Sequence, residues 1–207
     1  MKLLRKIQNR LHFILIKSSQ IPRRFFYFLL SNNRPARNLS KSIQPTILLG
    51  KGKIFLGKCN LGVWPSAHFL SGSIYIEARE ITAVVLIEDG VWINNEAVII
   101  AQRETIRIKA QTLIGTNFTV YDSDFHDLHP QRRLDGSIRT APVTIGSNVF
   151  IGSHVTVLKG VTIGENSVIS SGAVVSTDIP ANVIAGGIPA RVIGRIPDSR
   201  LDHDTNH

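Results

Sequence analysis

The sequence predicts an all-β fold, a parallel β-helix built as a prism of stacked short strands, preceded by an amphipathic helical segment. Three observations predict it. From Val143 the chain can be written in sixes: VTIGSN, VFIGSH, VTVLKG, VTIGEN, SVISSG, AVVSTD. The same phase recurs upstream at Ile87, Ile93 and Ile99, and again at Ile108, Ile114 and Val120. The first 30 residues follow a helical period instead.

The helical segment is strongly basic. Leu3, Leu4, Ile7, Leu11, Ile14 and Leu15 recur at three- and four-residue steps, the spacing of one helix face. Lys2, Arg5, Lys6, Arg10 and Lys17 fall largely off that face. Beyond Pro22, Arg23 and Arg24 lead into the block Phe25, Phe26, Tyr27, Phe28, Leu29 and Leu30. The first acid in the chain is Glu77, so residues 1–76 sum to +13 and residues 77–207 to −4. Two roles fit residues 1–45: a peripheral anchor on an anionic membrane surface through residues 1–30, or a helix packed on the body or on a sister subunit. No nucleic-acid motif accompanies the charge, so no nucleic-acid partner is expected. Arg10, His12 and Lys17 interrupt what would be the apolar core of a signal peptide, and the apolar runs are too short for a transmembrane helix.

Composition excludes other classes. A hydrophobic content of 43% is incompatible with a chain disordered throughout. A single cysteine, Cys59, excludes a disulfide framework and a cysteine-based zinc site.

In the array the third place of each six is aliphatic: Ile145, Ile151, Val157, Ile163, Ile169 and Val175. Gly146, Gly152 and Gly164 follow three of them. A short strand plus a turn, repeated around a prism, has this period, with the aliphatic side chain pointing inward. Successive coils then stack at the sheet spacing of about 4.8 Å. Between Ile99 and Ile108 the step is nine, an insertion of about three residues. From Ile43 to Ile81 the pattern loosens and reads as irregular first coils. The β-helix is therefore drawn over residues 46–197, with a polar tail at 198–207.

The repeat stops between Val120 and Val143, and the loop 121–142 carries His126, His129, Asp122, Asp124, Asp127, Asp135, Arg132, Arg133 and Arg139. A long polar loop on a rigid scaffold is a common seat of function. An imidazole there suits general-base chemistry, because it titrates near neutrality. His126, His129 and His154 could be proposed as metal ligands, but their spacing matches no ligand pattern, and no metal is expected.

Taken together, the sixes and the interrupting loop resemble the hexapeptide-repeat acyltransferases, most closely the maltose and galactoside O-acetyltransferase branch and its polysaccharide-modifying relatives. The resemblance is strong over residues 106–196. It implies a left-handed β-helix, a departure from the usual right-handed crossover that periodicity alone does not indicate. It implies a homotrimer and acetyl-coenzyme A as acyl donor. It implies His126 as catalytic base, because the family's histidine lies sixteen residues before the proline that restarts the repeat, as His126 does before Pro142. His129, followed by Pro130, is the second choice. The second nitrogen of the imidazole needs a partner, for which Asp124, Asp122 or a backbone carbonyl could serve. The Ser153 N–H matches the oxyanion donor. Asn94, or Asn95 if the register slips, matches an acceptor-binding asparagine. Gly152, Ser171, Gly172 and Ala173 match the coenzyme groove, with Lys159, Arg191 and Arg195 as cations for its phosphates. Ile188 stands where the family usually has asparagine.

The implied function is O-acetyl transfer to a sugar hydroxyl, in surface polysaccharide biosynthesis, by a cytoplasmic enzyme held at the inner face of the membrane. A soluble sugar or antibiotic acceptor, or a catalytically silent assembly module, are the competing readings.

Overall fold

A strand of two or three residues is too short to bury a face alone, so the six-residue units gain a core only by closing coils and stacking them. The structure, a computed structural model, describes residues 2–196. The expected polar tail at 198–207 lies outside the described residues. Three parallel sheets form the faces of a prism. The first face stacks Arg37–Asn38, Lys53–Leu56, Val84–Ile87, Thr105–Ile108, Val143–Ile145 and Thr162–Ile163. The second stacks Lys41–Ser42, Asn60–Leu61, Trp92–Ile93, Leu113–Ile114, Phe150–Ile151 and Val168–Ile169. The third stacks Thr46–Leu49, Ile74–Ala78, Val98–Ala101, Thr119–Tyr121, Thr156–Val157 and Val174–Val175. One strand from each face makes a coil, numbered one to six along the chain. A hairpin of Val183–Gly187 and Ala190–Arg195 caps the second face, the first strand parallel to the face and the second antiparallel to the first.

The interior consists of aliphatic columns. Leu56, Ile87, Ile108, Ile145 and Ile163 stand in register on the first face. Leu61, Ile93, Ile114, Ile151 and Ile169 do so on the second. Ile76, Ile99, Val120, Val157 and Val175 do so on the third. All are buried, and each such side chain contributes about 1.5–3 kcal/mol by leaving water. From coil three onward the edge between the first and second faces has a left-handed residue, and beyond Gly90 and Gln111 asparagine fills this place. Asn148, Asn166 and Asn182 take it, at φ 55°, 59° and 61°. Their amides form a ladder, Asn148 donating to Asn166 and Asn166 to Asn182, each at 3.0 Å. Asparagine tolerates this region better than other residues with a Cβ, which suits it to the repeated corner.

The prism starts earlier than its sequence boundary at 46: coil one opens at Arg37. The loose stretch 43–81 contains full strands, whose period is hidden by the insert 62–73 between the second and third faces of coil two. Asn95, fully buried, ties that insert down by accepting from Val63 N–H and donating to the Val63 and Ala67 carbonyls. The front end is one helix, α1 (Lys2–Leu30), continuous through Pro22. Its C-terminal end is stitched to coil one, with Leu48 N–H donating to Ser31 Oγ at 3.0 Å and Asn33 donating to the Gly50 and Gly52 carbonyls.

Candidate active site

The long loop, residues 122–142, leaves the edge between the third and first faces, after coil four, and returns as the first strand of coil five. Asp122 holds its neck. That carboxylate is fully buried and accepts from the N–H groups of Gln102 at 2.7 Å, Arg103 at 3.0 Å and Glu104 at 2.8 Å. It satisfies the corner of the coil below and does not face the imidazole. The two loop strands then zip together: Ser123 bridges Thr140 antiparallel, Asp124 N–H donates to Arg139 O, and Ala141 N–H donates to Asp122 O.

Phe125 turns the chain outward. It adopts φ +60°, a conformation unusual for an aromatic residue. Its ring packs edge-on against Tyr121 with centroids 5.0 Å apart, and the Arg79 guanidinium lies 5.2 Å from its centre. Arg79 is itself held by two bonds to Glu77 and one to Gln102. An aromatic residue on the prism wall therefore positions the residue that follows, His126.

His126 is exposed, and its Nδ1 lies 2.9 Å from the Arg133 carbonyl. A carbonyl oxygen only accepts, so Nδ1 carries the hydrogen, and in the neutral imidazole Nε2 keeps its lone pair. The partner is thus a backbone carbonyl, and neither Asp122 nor Asp124 serves. Asp124 instead meets Lys159 Nζ at 2.9 Å, tying the loop neck to the edge one coil on. The two roles expected of this pair, Asp124 on the imidazole and Lys159 on a phosphate, are replaced by an ion pair between them. His129 caps the short helix Pro130–Arg132, its Nδ1 accepting from Gln131 N–H. Asp127 accepts from His129 N–H at 2.8 Å, which with the nearby Arg132 holds its carboxyl below the ordinary value. His126, His129 and His154 form no metal-ligating cluster, and no such cluster occurs among the described residues.

The remaining expected residues lie mostly on another edge, between the second and third faces. The register Ile93, Ile114, Ile151, Ile169 places Asn94, Gly115, Gly152 and Ser170 one above another there. A Cβ on Gly152 would stand 2.6 Å from Ser171 N, so only glycine fits at that place in the stack. Ser153 N–H points along the edge to Ser171 Oγ at 3.2 Å, and Gly172 N–H donates to Ser153 O. Ser171 and Gly172 are exposed and Ala173 is buried. Asn94 is half-buried and accepts from Asn95 N–H. Arg191 and Arg195 lie exposed on the terminal hairpin, with Arg191 donating to Ala190 O. Two edges of one chain thus carry the two halves of the expected chemistry, and a single chain does not bring them together.

Two further features were not read from the sequence. Phe125 carries a weak signal, an aromatic residue beside the histidine in a polar loop. The Arg133 carbonyl carries none, since every residue has one. Cys59 is buried beside coil two, and burial pushes its thiol up to about 11, which leaves it protonated and unreactive near neutrality.

Comparison with known proteins matches this architecture. The family described as bacterial transferase hexapeptide (six repeats) matches residues 142–177. The galactoside O-acetyltransferase of Escherichia coli (strain K12) is 45% identical over 94 residues, covering 45% of this chain and 46% of that protein. The chain spans about half the length of the curated relatives it matches. Among solved structures, a galactoside acetyltransferase in complex with coenzyme A is 26% identical, with a TM-score of 0.52 over 93% of this chain and 87% of the other. A hexapeptide-repeat-containing acetyltransferase of Vibrio cholerae O1 biovar eltor, complexed with acetyl coenzyme A, is 28% identical, with a TM-score of 0.50 over 73% and 72%. These neighbours are left-handed β-helices, which gives the hand of the prism. By its repeat, its coils and its relatives, the chain is similar to the hexapeptide-repeat, left-handed β-helix acyltransferases.

Proposed function

We propose that the protein is an O-acetyltransferase that moves an acetyl group from acetyl-coenzyme A to a sugar hydroxyl. His126 Nε2 takes the hydroxyl proton while the Arg133 carbonyl holds Nδ1–H. The sugar oxygen attacks the thioester carbonyl carbon, and the Ser153 N–H donates to the oxyanion, exchanging its bond to Ser171 Oγ for it. The intermediate collapses to the acetyl ester, and the coenzyme thiolate leaves and takes the proton held by His126. No covalent enzyme intermediate is involved, and the buried Cys59 is not the nucleophile. Gly152, Ser171, Gly172 and Ala173 line the edge for the coenzyme, Arg191 and Arg195 are the remaining candidates for its phosphates, and Asn94 faces the acceptor.

The observation that carries this reading is the oriented imidazole on an exposed loop of a hexapeptide prism, with the backbone-lined edge on a neighbouring corner. Because the two halves lie on different edges, the working enzyme is a homotrimer in which one subunit's His126 meets the next subunit's Ser153 edge. Trp92, Leu113 and Phe150 support this: they point outward in register on the second face and are about half exposed, as a surface awaiting a sister subunit would be. The acceptor is a glycosyl unit of a surface polysaccharide or its lipid-linked precursor, and the enzyme works in the cytoplasm at the inner face of the membrane. The test is coenzyme A release with labelled acetyl-coenzyme A and a panel of acceptor sugars. His126→Ala is expected to lower the rate about 10²–10⁴-fold with the trimer intact. An unchanged rate would remove His126 as the base.

A further inference from the structure

An amphipathic surface helix ordinarily buries its apolar stripe against the body. In α1 the described residues are arranged the other way round. Its hydrogen bonds to the body clamp one side, where Gln20 is buried and Arg23 donates to Gln20 and to the carbonyls of Leu70, Ser71 and Gly72 in the insert, while Ile21, Phe25 and Phe28 line a cavity with Leu48, Leu56 and Leu61 of the prism. With 3.6 residues per turn, Leu11, Ile14, Leu15, Phe26 and Leu29 fall away from that clamp and from the cavity. All five are more than half exposed. Arg10 and Arg24 are exposed too, Arg24 at the cavity. The helix carries seven Lys or Arg and no Asp or Glu.

We infer that α1 is an in-plane membrane helix, seated with this stripe in the interface of a bilayer containing anionic lipid. The Arg23 clamp fixes its roll so that the prism stands behind it. This deepens the membrane placement proposed above and is independent of acetyl transfer. Charge selects the occupant: a second copy of α1 would bring seven cations against seven with no carboxylate between them, whereas anionic headgroups neutralise Arg10, Arg24 and the other basic residues. No helix among the described residues is long and apolar enough to cross a membrane, so the fit is to the surface plane. At about 1.5 Å per residue its 29 residues present a strip of about 43 Å, and aromatic residues at its C-terminal half suit the headgroup boundary.

The test is sedimentation of the full-length protein with phosphatidylcholine vesicles, with and without phosphatidylglycerol. Binding is expected with the anionic vesicles and is expected to fall at least about tenfold with neutral ones or in high salt. Leu15→Glu with Leu29→Glu should abolish it while leaving acetyl transfer to a soluble sugar and the far-ultraviolet circular dichroism unchanged. Arg23→Ala keeps the stripe and frees the roll, and it is expected to weaken binding less than the double variant. Absence of binding by the wild type overturns the inference, as does equal binding by the double variant. A double variant that changes oligomeric state instead would assign the stripe to a second copy and overturn it too. Loss of membrane binding with transferase activity intact separates this inference from the catalytic one.

Discussion

The prism and the loop at 122–142 are held by opposite means. The prism rests on repetition: in-register aliphatic columns, each residue supported by aliphatic neighbours above and below. The loop rests on single contacts, each made once: Asp122 under the 102–104 corner, Phe125 under Arg79, Asp124 with Lys159. Repetition spreads stability over many residues. Unique contacts place one atom, His126 Nε2, where a periodic wall has no means of placing it.

Substitutions on the two sides should separate these roles. Ile151→Ala removes a fully buried member of the second column, and the neighbours above and below hold the cavity open. It is expected to cost about 2–5 kcal/mol in urea denaturation, with kcat little changed in the protein that remains folded. A loss below about 1 kcal/mol would mean that the columns share load less than their packing implies. Phe125→Ala should do the reverse. It removes an exposed-side contact, so stability changes little, but His126 loses its anchor and kcat is expected to fall about tenfold to a hundredfold. Phe125→Trp, which keeps a ring over Tyr121, should restore part of the rate, whereas a purely structural role would show in the melting temperature.

The smallest effect is on pH and concerns Cys59. Its thiol is raised by burial from 9.0 to about 11, so the fold favours the protonated form. The stability this brings is complete below about 9 and is lost as pH rises through about 11. Cys59→Ala should therefore lessen alkaline destabilisation between those values. Iodoacetamide labelling of the native protein at pH 8 should be slow and should accelerate on unfolding. Rapid native labelling would contradict the burial.

Much of this was legible in the residues. The period of six named every column residue from Ile87 onward, because a prism interior admits only a short aliphatic side chain at each inward place. The resemblance singled out His126 through its distance from Pro142, and its role is a proposal. The start of the prism was less so: coil one opens with Arg37–Asn38 and Lys41–Ser42, polar pairs that join the sheets through backbone bonds and carry no aliphatic mark. The carboxylates were not separable in sequence either. Asp122 and Asp124 stand two apart in one polar loop, and what divides them is which partners face them, three N–H groups from another coil or a lysine one coil on.

What the chain determined by itself is the periodic part: the fold class, the inward residues and the amphipathic front helix, since all three follow from spacing along a regular element. Tertiary structure decided the rest. It chose a backbone carbonyl as the partner of His126, paired Asp124 with Lys159, set the imidazole and the Ser153 N–H on different edges, and turned the apolar stripe of α1 away from the body. Each of these depends on which groups from distant parts of the chain meet, and no local period encodes such a meeting.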